Sequence, residues 1–88
     1  MSVLRTILRL YNDFWYTIIM NTFFPKRLKE LRLAEDLNRS QLADLLDCSM
    51  TNIGVWERGL KEPKLSSLVK IAEYFDVSID YLAGRADY

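Results

Sequence analysis

Few side chains in this sequence are equipped for covalent chemistry. Histidine is absent and Cys48 is the single cysteine, so neither a metal-ligand set nor a histidine-assisted nucleophile can be assembled. No nucleophile–base pair and no glycine-rich phosphate loop is present, and neither catalysis, a cofactor, a metal nor a small-molecule ligand is expected. Cys48 reads as a small buried hydrophobe, and a reducing, cytoplasmic setting suits it. What the chain does carry is non-covalent chemistry gathered in one stretch. From Asn38 to Gly59 it reads N-R-S-Q-L-A-D-L-L-D-C-S-M-T-N-I-G-V-W-E-R-G, with Lys61 and Lys64 just beyond.

Two short helical patterns must position these groups. In the first, Asn38 can cap with Gln41 reaching back, and Leu42, Ala43 and Leu46 form an apolar stripe. Asp47-Cys48-Ser49 is the turn: Asp tolerates a left-handed helix end, and Ser49 can accept from the first N–H groups of the next helix. So short a connection forces the helices to cross steeply, which is the helix-turn-helix arrangement whose second helix lies in the DNA major groove. In that second helix, at about 100° per residue, Ile53 and Trp56 point one way while Thr51, Val55 and Arg58 point nearly opposite. The outward set is short, weakly polar and free of acid, as entry into a groove lined with phosphates requires.

Residues 1 to 24 form a separate region. Val3, Leu4, Ile7, Leu8, Tyr11, Phe14, Trp15, Ile18 and Ile19 recur at three- and four-residue steps, predicting an amphipathic helix from Ser2 to about Met20. Arg5, Arg9, Asn12 and Asp13 interrupt it too often for a membrane span, and no cleavage site follows for a signal peptide. Three readings stay open: packing on its own domain or a second subunit, lying on a membrane surface, or an upstream extension dispensable for binding.

The domain proper is expected over residues 25 to 88. Pro25 suits a helix's first turn and marks the junction. A first helix then runs to about Ala34, with Leu28, Leu31 and Ala34 inward and Lys26, Lys29 and Glu30 outward. Gly59 and Pro63 stop the motif's second helix. A fourth helix buries Leu65, Leu68, Ile71, Ala72 and Phe75. Ser78 caps a short fifth helix, with Ile79, Tyr81 and Leu82, that closes at Gly84.

The net charge is zero, from 12 basic and 12 acidic residues, which by itself argues against a nucleic-acid partner. Placement matters more than the sum. Arg39, Arg58, Lys61 and Lys64 fall in or beside the motif, whereas Glu73, Asp76, Asp80 and Asp87 fall in the C-terminal third, so a bipolar domain is implied.

From Lys26 to Arg85 the chain resembles the Cro/phage-repressor type (XRE-like) of helix-turn-helix domain. Four segments carry the resemblance: R-L-K-E-L-R (Arg27 to Arg32), S-Q-L-A-D-L-L (Ser40 to Leu46), I-G-V-W-E-R-G-L-K-E-P (Ile53 to Pro63) and L-V-K-I-A-E-Y-F-D-V-S-I-D-Y-L-A-G-R (Leu68 to Arg85). The resemblance implies an all-α, five-helix lambda-repressor-like domain, here preceded by the extra N-terminal helix. It places Met50, Thr51, Asn52 and Val55 at base-facing positions and Arg39, Ser49, Arg58, Lys61 and Lys64 at phosphate-facing ones. It also implies a structural ion pair between Arg32 and Glu57. The family often places Gln, Arg, Lys or Ser where Met50 and Val55 stand, so base reading here would lean on thymine methyl groups and DNA shape. Gly54 is a second departure, weak in helix propensity but permitting close approach.

The function implied is a transcriptional regulator binding double-stranded DNA, a repressor on a two-fold operator, dimeric through the N-terminal helix or the fifth helix. The alternative is a protein-interaction module, such as an antitoxin or antirepressor, whose N-terminal helix binds the partner.

Overall fold

The computed structural model describes residues 23–88. Among these are five helices and no strand: α1 over 23–34, α2 Arg39–Leu46, α3 Met50–Glu57, α4 Leu65–Phe75 and α5 Ile79–Leu82. The amphipathic helix expected over residues 2 to 20 lies outside the described residues. Helix α1 is helical from the first described residue, Phe23, and Pro25 lies within its first described turn. Phe24, on the far side of the expected junction, is one of the most deeply buried side chains.

Local chemistry sets the helix limits. Asn38 Oδ1 accepts from Gln41 N at 2.7 Å while Asn38 N donates to Gln41 Oε1 at 2.8 Å, a reciprocal cap that satisfies two otherwise orphaned donors. Ser49 and Ser78 cap α3 and α5 through the amides of Asn52 and Tyr81. Every helix is closed by a left-handed residue: Asp36, Asp47 and Asp76 near φ 55°, Gly59 at 71° and Gly84 at 80°. At all five ends the next residue's amide reaches five back: Leu37 N to Arg32 O (3.1 Å), Cys48 N to Ala43 O (2.9 Å), Leu60 N to Val55 O (3.0 Å), Val77 N to Ala72 O (3.0 Å) and Arg85 N to Asp80 O (2.7 Å).

Helix α2 packs on α3 and on α4, and α4 on α5, around a core to which all five helices contribute. Leu28, Leu42, Ile53, Ile71 and Leu82 have no exposed surface, and full burial of such a side chain contributes roughly 1.5–3 kcal/mol before conformational entropy is counted. Two expected core positions are corrected. Ala34 is exposed, because α1 turns Leu28 and Arg32 inward and Ala34 stands well over 90° from that line. Leu65 is 72% exposed, because it is the first residue of α4, one turn ahead of Leu68 where the buried face begins.

The C-terminal end is tied back to α1. Arg27 stacks over the rings of Phe23 (5.1 Å) and Tyr81 (4.3 Å) and donates through Nη1 to the carbonyl of Tyr81 and, at 2.7 Å, to that of Ala86. Gly84 lies flat against Phe23, and a Cβ there would sit 2.6 Å from the ring. Ser78 Oγ donates to Tyr88 O at 2.5 Å.

Candidate nucleic-acid interface

The reach of α3 into its surroundings depends first on how it is anchored. Ile53 and Trp56 are buried, and Glu57, the last residue of the helix, has a side chain only 1% exposed. Arg32 of α1 meets this carboxylate in a fork, Nε to Oε2 at 2.6 Å and Nη2 to Oε1 at 3.0 Å, and donates its remaining Nη1 to Leu37 O at 2.8 Å. The charges are out of water, and the pair is compensated by hydrogen bonds from all three guanidinium nitrogens and to both carboxylate oxygens. The hydrogen bond donated to Glu57 raises the Arg32 pKa above its ordinary value, burial opposes, and the Glu57 charge adds to the rise.

Arg39, at the first position of α2, also donates to Glu57, Nε to Oε1 at 3.2 Å, while 40% of its side chain stays exposed. The sequence places Arg39 at a phosphate-facing position and gives no sign of this bond to Glu57. A single buried carboxylate thus fixes α1, α2 and α3 to one another.

The opposite face of α3 is open. Met50, at 56%, is the most exposed of its apolar side chains, Thr51 and Asn52 are exposed, and Val55 is half-buried. Ser49 spends its acceptor on the Asn52 amide at 3.1 Å, leaving its hydroxyl hydrogen for an outside group. Arg58 is exposed and curls back so that its Nε donates to Gly54 O at 3.1 Å. Lys61 and Lys64 are exposed on the loop into α4 and share a shallow groove with Asn52 and Trp56, into which Glu62 also faces. The candidate base-facing residues therefore lie together on one helix, flanked by cations from α2, from the end of α3 and from the loop. Glu73, Asp76, Asp80 and Asp87 are exposed on the C-terminal third. Cys48, in the turn, is half-buried against the core, and that burial pushes its thiol pKa up, Lys70 pulling the other way and Asp47 adding to the rise.

Two short helices crossing through a three-residue turn, the second anchored by its inner face and bare on its outer one, define a helix-turn-helix protein. The chain belongs to the helix-turn-helix family HTH_3, which it matches over residues 28–82, and is of the Cro/phage-repressor type. It is 39% identical over 64 residues to the uncharacterized HTH-type transcriptional regulator YobD of Bacillus subtilis, covering 73% of this chain and 57% of YobD. It is 41% identical over 59 residues to the HTH-type transcriptional activator BcrR of Enterococcus faecalis (67% and 29%). To the cryptic phage CTXphi transcriptional repressor RstR of Vibrio cholerae it is 38% identical over 60 residues (68% and 54%). The crystal structure of the restriction-modification controller protein C.AhdI from Aeromonas hydrophila is similar, with a TM-score of 0.64 and 32% identity over 70% of this chain and 94% of that one. The chain spans about half the length, or less, of the curated relatives it matches.

Proposed function

We propose that this chain is a sequence-specific DNA-binding transcriptional regulator, acting as a repressor on a two-fold operator. The observation that carries the reading is the division of α3 between buried Ile53 and Trp56 and the exposed Met50, Thr51 and Asn52 with half-buried Val55, a helix presented as the major groove requires. Thr51 offers a hydroxyl and a methyl to base edges, while Met50 and Val55 suit the thymine methyl. Arg39, Ser49, Arg58, Lys61 and Lys64 hold the backbone and supply most of the affinity. For the sign of regulation the reading follows RstR, named a repressor, although BcrR is named an activator. One recognition helix covers few base pairs, so two copies share the operator, pairing through Ile79 and Tyr88 around α5 or through residues 1 to 20.

The second reading, a protein-interaction module, is favoured by one observation: the exposed side of α3 leads with the apolar Met50. Selection of bound duplexes from a random pool at two salt concentrations separates the readings. The DNA reading expects a recovered consensus and an affinity that falls steeply with salt. Lys61→Ala should weaken all duplexes alike and flatten the salt slope by about one unit. Val55→Gln should change the preferred base pair at one position per half-site and leave the slope alone. No duplex binding at low salt hands the case to the protein-interaction module, and an unchanged consensus removes Val55 from the reading face.

A further inference from the structure

Gly54 is buried in the middle of α3, where glycine costs helix stability, and the space its missing side chain leaves is bordered by two cations. A Cβ at this position would stand 3.3 Å from Arg58 Nη2 and 3.8 Å from Arg39 Nη1. The two guanidinium heads, from different helices, therefore converge over one point of α3 backbone. Each is held there by its inner nitrogen, Arg39 Nε on the Glu57 carboxylate and Arg58 Nε on the Gly54 carbonyl. Among the described residues the Nη groups of both make no further hydrogen bond.

The local charge is unbalanced. Arg32 takes both oxygens of Glu57 and Arg39 shares one of them, while Arg58, beside Arg39, has no carboxylate partner among the described residues. Two like charges kept side by side call for an anion between them, and the fork geometry of guanidinium suits the oxygens of a phosphate ester. We propose that Arg39 and Arg58 form one two-armed site for a single backbone phosphodiester, and that Gly54 is the positioning residue that lets the arms meet. The proposal rests on the DNA-binding reading and adds to it that α2 and α3 grip the same phosphate rather than two different ones.

A scan with neutral methylphosphonate links tests this. The duplex recovered from the pool is synthesised with one phosphate at a time replaced, and its affinity is measured for the wild-type protein, Arg39→Ala and Arg58→Ala. The wild type should lose about tenfold at one link per half-site, and both variants should be indifferent to substitution at that same link. Replacing both arginines should flatten the salt slope by about one unit, the value for one phosphate, not two. Gly54→Leu, which fills the gap between the heads, should be indifferent at that link with helical circular dichroism retained. If that variant does not fold, the arginine pair alone decides. Two different links for the two arginines, or a slope change near two units, would overturn the shared site and leave DNA binding intact. No binding of any duplex by the wild type would overturn both.

Discussion

Glu57 contributes through the number of groups that depend on it. Its carboxylate takes Arg32 in a fork and Arg39 as a third donor, at 1% exposure. Removing it strands the buried Arg32 charge, and breaking a buried pair from one side typically costs about 3–5 kcal/mol. Glu57→Ala should therefore lower the urea midpoint by a large fraction of the whole stability. Glu30→Ala, which loses only the exposed 3.9 Å pair with Lys26, should shift it hardly at all. A Glu57→Ala melting point within a degree or two of wild type would show that the fork does not bear on stability. The Arg32–Glu57 partnership could be read from the resemblance, because both residues fall within its matching segments. The third donor could not, since sequence spacing gives no hint that Arg39, 18 positions from Glu57, shares its oxygen.

At the scale of the helices, the ends were the most legible feature. Asn38 with Gln41, Ser49, Ser78, Gly59 and Gly84 act through neighbours within a few positions, so the local sequence contains the whole interaction. Periodicity gives direction without depth at Leu65, which falls on the right face and outside the core, and it misses the direction at Ala34, which stands on the far side of α1 from the buried Arg32. Three ends place aspartate in the left-handed region where a Cβ is unfavourable. Asp76→Gly should relieve that strain and raise stability by up to about 1 kcal/mol, less the extra freedom glycine gives the unfolded chain. Thermal unfolding at matched pH checks it, and a lower melting temperature would mean that the Asp76 side chain contributes more than its backbone costs.

For the whole molecule, the decisive contacts join α1 to the last residues, and these were the least legible. Arg27 lies more than fifty positions from the carbonyls it holds, and nothing in its own neighbourhood marks it as different from Lys26 or Lys29. Gly84 was read as a helix stop, which it is, but its second role appears only when Phe23 is seen lying on it. Gly84→Ala should cost roughly 2–4 kcal/mol, from the positive φ together with overpacking against the ring. Equilibrium denaturation should show that loss; a change under 0.5 kcal/mol, about the noise of a neutral surface substitution, would mean that α1 and the C-terminal segment slide apart freely.

Seen as a mechanical object, the described chain carries a clasp. Phe23 against Gly84, and Arg27 on Tyr81 and Ala86, fasten the first described turns of α1 to the residues around and after α5, with α2 and α3 lying on the long loop of chain between. Tension applied between Phe23 and Ala86 is borne first by this clasp and passes to the helix-turn-helix only after it opens. A pull across those two points therefore reaches the outward face of α3 last.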